Sequence, residues 1–371
     1  MIGPPGSGKT TTIAAIVENC LRTNTGALLL AETNEAVYNM YTKVLQKTVA
    51  TQRDIHLVVS REYMEYHSQV YKKIRTSSNS TYFPQITACT LSKAVYLLRE
   101  GLMYWRGPRG RSNHRTTLIL DEASVVSLLS TYELLPNLVY FKNLVFVGDT
   151  KQGSPYCSGT YSPKSILDLL EERVTSDDVS FLKREFLDIQ FRMPRDLGTV
   201  ISNNFYGGLL KSFKTSTTWS NCYFYNIKGY VKVKDNSRYC IEEGKEALGM
   251  ATALSRSHPK KEIVLLMYYW AQVEYFKILC QRQSQSGNFH CTTVDSFQGK
   301  ESDVIILCTC AYEKKLRTFL RNKRRNNVAL SRAKERLIVM GCLTTINQDD
   351  VWREIVGSFT EVTSDERSKL L

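Results

Sequence analysis

The run Gly3-Pro4-Pro5-Gly6-Ser7-Gly8-Lys9-Thr10 fits the spacing GxxxxGK[ST], and the chemistry it suits is the handling of phosphate. Glycines let the backbone curl so that successive N–H groups face phosphate oxygens. A helical run starting near Thr10 adds the positive end of its dipole. Lys9 can then reach the β- and γ-phosphates, and the Thr10 hydroxyl can ligate Mg2+. A second element, Leu118-Ile119-Leu120-Asp121-Glu122, carries an apolar strand straight into two acids. At a strand's carboxyl end, Asp121 is expected to hold the metal through water, and Glu122 to orient or deprotonate an attacking water. A third, Val147-Gly148-Asp149-Thr150-Lys151-Gln152-Gly153-Ser154-Pro155, offers Gln152, whose amide can donate to phosphate and accept from water. Gln190-Phe191-Arg192-Met193 and Val328-Ala329-Leu330-Ser331-Arg332-Ala333 each add an arginine, suited to stabilising charge on a transferring phosphoryl group.

These residues need a scaffold that gathers strand ends. Short apolar runs at Leu28–Ala31, Thr117–Leu120, Leu144–Val147, Val264–Met267, Val304–Leu307 and Leu337–Met340 read as strands buried on both faces. Helical patterns near 10–22, 34–49, 163–173, 194–205, 239–256, 270–285 and 350–359 alternate with them, which predicts an α/β architecture with ligands at the carboxyl ends of parallel strands. Residues 50–86 read as a mostly helical insertion, 105–115 as a basic surface loop, and 361–371 as a polar tail.

The chain has 371 residues, 43% of them apolar and 23% charged, which excludes a mostly disordered or collagenous chain. Lys and Arg number 49 against 36 Asp and Glu, a net charge of +13, so a polyanionic partner is plausible. The apolar runs are too short to span a bilayer, so no membrane partner is expected. The ten cysteines form no CxxC pair, and Cys308 and Cys310 are expected to be reduced core thiols on one strand face. From Lys314 to Arg325 the chain carries seven cations and no acid, which suits either phosphate tracking or a solvated loop. Tyr268-Tyr269-Trp270 suits either base stacking or a core-edge cluster.

Taken together and in order, the motifs resemble those of a superfamily-one helicase of the up-frameshift type, the group that includes the nonsense-mediated decay helicase and senataxin. GPPGSGKT, AETNEAV from Ala31, ACTLSKA from Ala88, DEAS, GDTKQGSP, QFRMP, VDSFQGKESDVII from Val294 and NVALSRAKERLIVMG from Asn327 carry the resemblance over nearly the whole chain. It implies two tandem RecA-like P-loop NTPase domains with parallel sheets, at 1–185 and 186–360, with ATP and Mg2+ in the cleft between them. It implies translocation along single-stranded RNA or DNA, 5′ to 3′, in the cytoplasm or nucleus. Carried over, Gly3, Pro4, Pro5, Gly6, Ser7, Gly8, Lys9, Thr10 and Thr11 hold the nucleotide, and Thr10 and Asp121 the metal. Lys9, Glu122, Gln152, Arg192 and Arg332 form the hydrolysis set. Phe191 stands where an aromatic stacks on adenine, and Glu301 matches an acid on the nucleotide side. Asn34, Thr90 and Thr293 match positions facing the nucleic-acid backbone.

Three departures qualify the resemblance, one being that the family's adenine-reading glutamine upstream of the glycine-rich loop has no counterpart in the sequence and that no room is expected for its β-barrel domain. Only Met1 and Ile2 precede Gly3, so the first domain is expected to lack its leading strand and to expose unpaired edges. LLMYYWAQ replaces a threonine-proline-tyrosine type of stretch, which puts strand contact there in doubt. The alternative to a motor is therefore a catalytically impaired, helicase-like module that binds nucleic acid or protein.

Overall fold

The computed structural model describes residues 1–51, 54–60, 62–63, 85–100, 117–156, 163–174, 182–215, 222–282, 287–313, 315–363 and 366. They divide into two compact units, Met1–Gly3 with Gly8–Leu187 and Pro4–Ser7 with Asp188–Leu371.

The first unit is a five-stranded parallel sheet of β1 (Ala27–Ala31), β2 (Ile55–Val58), β3 (Ile86–Thr90), β4 (Thr117–Leu120) and β5 (Asn143–Phe146), in the order β2-β3-β1-β4-β5. Every residue of β1 is buried, as a central strand covered on both faces requires. Helix α1 (Lys9–Arg22) buries Ile13, Ala14, Val17 and Cys20, and α2 (Asn34–Lys47) buries Val37, Met40, Tyr41 and Val44, so each lays one apolar stripe on the sheet. Helix α3 (Leu91–Arg99) follows β3 without a loop, started by the Thr90 side chain, which accepts from the Lys93 amide.

Ile2 forms isolated parallel bridges to Gly148 and to Phe186, beyond the end of β5, and no strand is formed at Met1–Gly3. Among the described residues no strand pairs along the outer edge of β5, where Leu144 is 41% exposed, although the Met1 amino group donates to the Phe146 carbonyl at 2.8 Å.

The second unit is built on a six-stranded parallel sheet. Its strands are β8 (Cys222–Asn226), β11 (Ile263–Met267), β12 (Phe289–Thr293), β13 (Ser302–Cys308), β14 (Ala333–Gly341) and β15 (Thr360–Val362), in the order β12-β11-β13-β14-β8-β15. Two small ribbons accompany it, β6 (Ile189–Gln190) with β7 (Lys211–Ser212) and an antiparallel hairpin of β9 (Val231–Lys234) with β10 (Ser237–Cys240).

Several expectations need correction. Residues 50–86 contain β2, a sheet strand rather than helix, and 64–84 lie outside the described residues, as does the basic loop 105–115. Glu361 and Val362 belong to β15, which pairs with β8, so the chain is not yet a tail there. Strand β13 ends at Cys308, and Cys310 sits beyond it at φ 51, although both thiols are buried.

A polar cluster lies inside the second core. Glu243 on the helix Ile241–Ser257 is fully buried. Its carboxylate accepts from the Thr309 amide at 2.9 Å, the Cys310 amide at 3.1 Å and the Tyr312 hydroxyl at 3.3 Å. Burial outweighs these donors and pushes the carboxyl up from 4.5 to about 7. The folded state therefore keeps a proton that the unfolded chain releases earlier. This contribution to stability is fully present below pH 4.5, falls as pH rises toward 7, and is level above it. Unfolding free energies from urea titrations across that range should decline in the wild type by about 3 kcal/mol. Glu243→Gln, neutral at every pH, should show a flatter profile. Parallel profiles would mean that Glu243 is ionised in the folded protein.

Candidate nucleotide site and nucleic-acid interface

In the first unit, the strand ends assemble the acids. The Asp121 amide donates to the Leu30 carbonyl at 2.8 Å, and the Ala123 amide to the Val147 carbonyl at 2.8 Å. Asp121 and Glu122 are thereby held at the carboxyl ends of β1, β4 and β5. The Glu122 amide donates to Asp121 Oδ1 at 2.9 Å, and Glu122 itself stands at φ 50, in the left-handed region. Burial pushes the Asp121 carboxyl up to about 7, helped by the neighbouring Glu122 charge and opposed by Lys9. The Gly3 amide donates to the Gly148 carbonyl at 2.9 Å, which fastens the start of the glycine-rich segment to the GDTKQGSP turn. That turn buries Gln152, whose backbone amide donates to the Asp149 carbonyl at 3.0 Å.

Lys9 Nζ donates to the Gly3 carbonyl at 2.7 Å, curling back over its own loop. Gly8 caps α1 at φ 87 with no side-chain hydrogen bond to the first turn, so the helix amides remain available to an anion. Thr10 and Thr11 open that helix. The hydroxyl of Thr10 and the carboxylate of Asp121 are hard oxygen donors of the kind Mg2+ prefers, and Lys9 acts on Asp121 electrostatically. Loop, cation and acids therefore fit a Mg2+-nucleotide.

Residues Pro4–Ser7 count with the second unit, where the Phe191 amide donates to the Gly6 carbonyl at 2.9 Å and Ser7 Oγ to the Pro4 carbonyl at 2.8 Å. Gly6 stands at φ 72, and a Cβ there would meet the Arg192 Cβ at 2.6 Å. Pro5 is buried in the same turn.

Around Arg192, three separate motifs converge within the second unit. Its Nε donates to Glu301 at 2.6 Å and its Nη1 to the Ser331 carbonyl at 3.1 Å. Phe191 is half exposed and tilts against Phe213, centroids 5.1 Å apart. Arg332 is 2% exposed. It donates to the Val328 carbonyl at 2.9 Å, the Lys300 carbonyl at 3.3 Å and the Ser331 hydroxyl at 3.2 Å.

Gln190 organises this corner, a role that its place at the start of the QFRMP motif does not reveal. Fully buried, it accepts from the amides of Arg192 at 2.9 Å and Met193 at 2.7 Å and donates to the Met193 carbonyl at 2.9 Å. A buried amide that meets both the N–H and C=O of one turn fixes that turn.

The expected strand-facing residues occupy helix starts and turns. In the first unit the Asn34 side-chain amide donates to Ser60 Oγ at 3.2 Å, and Thr90 caps α3. In the second, Thr293 at the end of β12 donates to Ser296 Oγ at 2.9 Å and accepts from the Ser296 amide. Of the described cations of the basic segment, Lys315 and Arg317 precede a short 3-10 turn, Thr318–Arg321, Arg321 ends that turn, and Lys323, Arg324 and Arg325 form the first turn of the helix Lys323–Leu330.

Comparison with known proteins follows the same plan. The AAA domain family matches residues 1–158 and, in a second form, residues 169–344. A DNA replication ATP-dependent helicase/nuclease dna2 of Schizosaccharomyces pombe is 26% identical over 95% of this chain and 27% of its own length. A Regulator of nonsense transcripts 1 homolog of Drosophila melanogaster is 25% identical over 97% of this chain and 34% of its own. The chain thus spans about a third or less of these two relatives. Among solved structures, a variant of Saccharomyces cerevisiae Dbp5 bound to RNA and ADP BeF3 is 12% identical with a TM-score of 0.59, over 100% of this chain and 87% of that one. That likeness shows the fold alone, two RecA-like α/β domains. No helix among the described residues is long and apolar enough to cross a membrane. The two family matches, the relatives and the ordered motifs make the chain similar to superfamily-one helicases of the up-frameshift type.

Proposed function

We propose that this chain hydrolyses ATP with Mg2+ and couples the reaction to 5′ to 3′ movement along single-stranded RNA or DNA. The observation that carries the reading is the buried Asp121 beside Lys9 and Glu122 at the carboxyl ends of one parallel sheet. Mg2+, when bound, supplies charge neutralisation at the β- and γ-phosphates. Lys9 and the first-turn amides of α1 bind and orient the phosphates. Glu122 takes the proton of the attacking water, and Gln152 positions that water. Arg192, oriented by Glu301, supplies a cation for the charge that develops in the transition state. Phe191 stacks on the adenine. Asn34, Thr90 and Thr293 contact the strand's backbone.

The basic segment supports a polyanionic partner. Lys323, Arg324 and Arg325 sit in the first turn of their helix, where the dipole is positive and cations are disfavoured. A phosphate backbone relieves that repulsion.

Lys9→Ala should nearly abolish ATP turnover, whereas Glu122→Gln should retain nucleotide binding and lose turnover, because an amide keeps the shape and cannot take a proton. Both are checked by phosphate release beside equilibrium binding of a fluorescent ATP analogue. Equal turnover in wild type and Lys9→Ala would remove the enzyme reading and leave a binding module.

The arginines separate by a second measurement. Arg192→Ala should lower turnover by about 10³-fold or more with the melting temperature nearly unchanged. If Arg332 also acts as a finger, it must leave its buried backbone and hydroxyl partners, so Arg332→Ala should lower turnover and melting temperature together. A lost melting temperature with full turnover would make Arg332 purely structural.

A further inference from the structure

The second unit contains a hollow of about 500 Å3 whose wall includes Asn236, Tyr269, Trp270, Thr293, Arg317 and Phe319. That volume lies in the range of small-molecule sites. Tyr269 and Phe319 stack, with centroids 5.3 Å apart and planes at 29°. The Arg325 guanidinium lies 3.8 Å from the Phe319 centroid and is clamped to Asp295 through bonds of 2.9 and 3.1 Å. Glu313 pairs with both Arg238 and Arg317. One carboxylate shared by two guanidiniums leaves a positive charge uncompensated at the rim.

The rim is stiff as well as charged. Asp235 and Asn236 stand at φ 48 and 60, the signature of a two-residue type I′ hairpin turn between β9 and β10. That turn sets Asn236 at the edge of the hollow. The neighbouring Ser237 Oγ accepts from the Ala271 amide at 3.0 Å and ties the hairpin to the helix Trp270–Arg282. Trp270, the first residue of that helix, is 51% exposed. Tyr268 is different: it is buried and donates to Asn326 at 2.8 Å, a core residue. The aromatic triplet is thus core at its first member, half-buried at its second and exposed at its third.

Flat aromatic faces, fixed guanidiniums, an amide and hydroxyls at the edge, and one surplus cation match a planar heterocycle that carries a phosphate. Bases stack on such rings with little regard to sequence, and arginine adds to the stack. We propose that this hollow seats one nucleobase of the bound single strand, stacked on Trp270 and the Tyr269–Phe319 pair, with its phosphate at Arg317. The proposal rests on the reading that the chain binds a single strand, and it adds a base-stacking anchor next to Thr293.

Short RNA and DNA oligonucleotides carrying a fluorescent adenine analogue at each position in turn provide the test. In wild type one position should quench several-fold on binding while its neighbours change less. The RNA and DNA series show which sugar the seat accepts. Trp270→Ala, and independently Arg317→Gln at a second exposed residue, should abolish that selective quenching. Each should weaken binding about tenfold. An abasic residue at the quenched position should weaken wild-type binding equally and leave Trp270→Ala unaffected. Tight strand binding with uniform quenching, or selective quenching that survives both substitutions, would overturn the seat and leave the strand-binding reading intact. Absence of strand binding by folded wild type would overturn both.

Discussion

The hydrogen bond from the Asp121 amide to the Leu30 carbonyl is the point on which the first unit turns. It continues the β1–β4 ladder one residue past the apolar core, so the backbone that buries leucines also fixes the first acid. A parallel sheet directs all its carboxyl ends to one side, and the same ladder geometry brings Gly148 to Gly3. Gly3, the Asp121–Glu122 pair and the Gly148 turn are placed by backbone pairing, before any side chain contributes. Side chains then adjust the charge. Asp121 is buried enough that its proton is held to about neutral pH, and Lys9 opposes that shift.

The second unit depends on a different device. Its chemistry-bearing residues come from three motifs far apart in sequence, and a buried amide with backbone carbonyls holds them together. Gln190 shapes the turn that presents Phe191 and Arg192, while Glu301 and the Ser331 carbonyl receive the Arg192 guanidinium. Guanidinium planarity suits this role, because donors at fixed angles can meet a carboxylate and a carbonyl at once.

Much of this was legible in the residues. Strands Thr117–Leu120 and Val264–Met267 announce themselves as continuous apolar runs, and the glycine-rich segment with its lysine and threonine fixes the start of α1. Strands β3, with sequence ITACT, and β12, with FHCTT, are too polar for that signal, and their neighbours in the sheet make them strands. Strand β2 hid inside a segment with few apolar residues. Candidate residues around Asp121 could be named because strand ends predict where acids go. Gln190 could not, since its role is set by a turn that no local spacing reveals. Nor does the sequence tell Tyr268 from its neighbours, because only packing decides which ring of three is covered.

Glu122 occupies a backbone conformation that costs a side-chain-bearing residue on the order of 1–3 kcal/mol and costs glycine nothing. Glycine there would improve the fold while deleting the carboxylate. Laboratory evolution that rewarded heat tolerance alone would therefore drift toward glycine or asparagine at this position. It would yield a sturdier protein that had discarded the carboxylate next to Asp121.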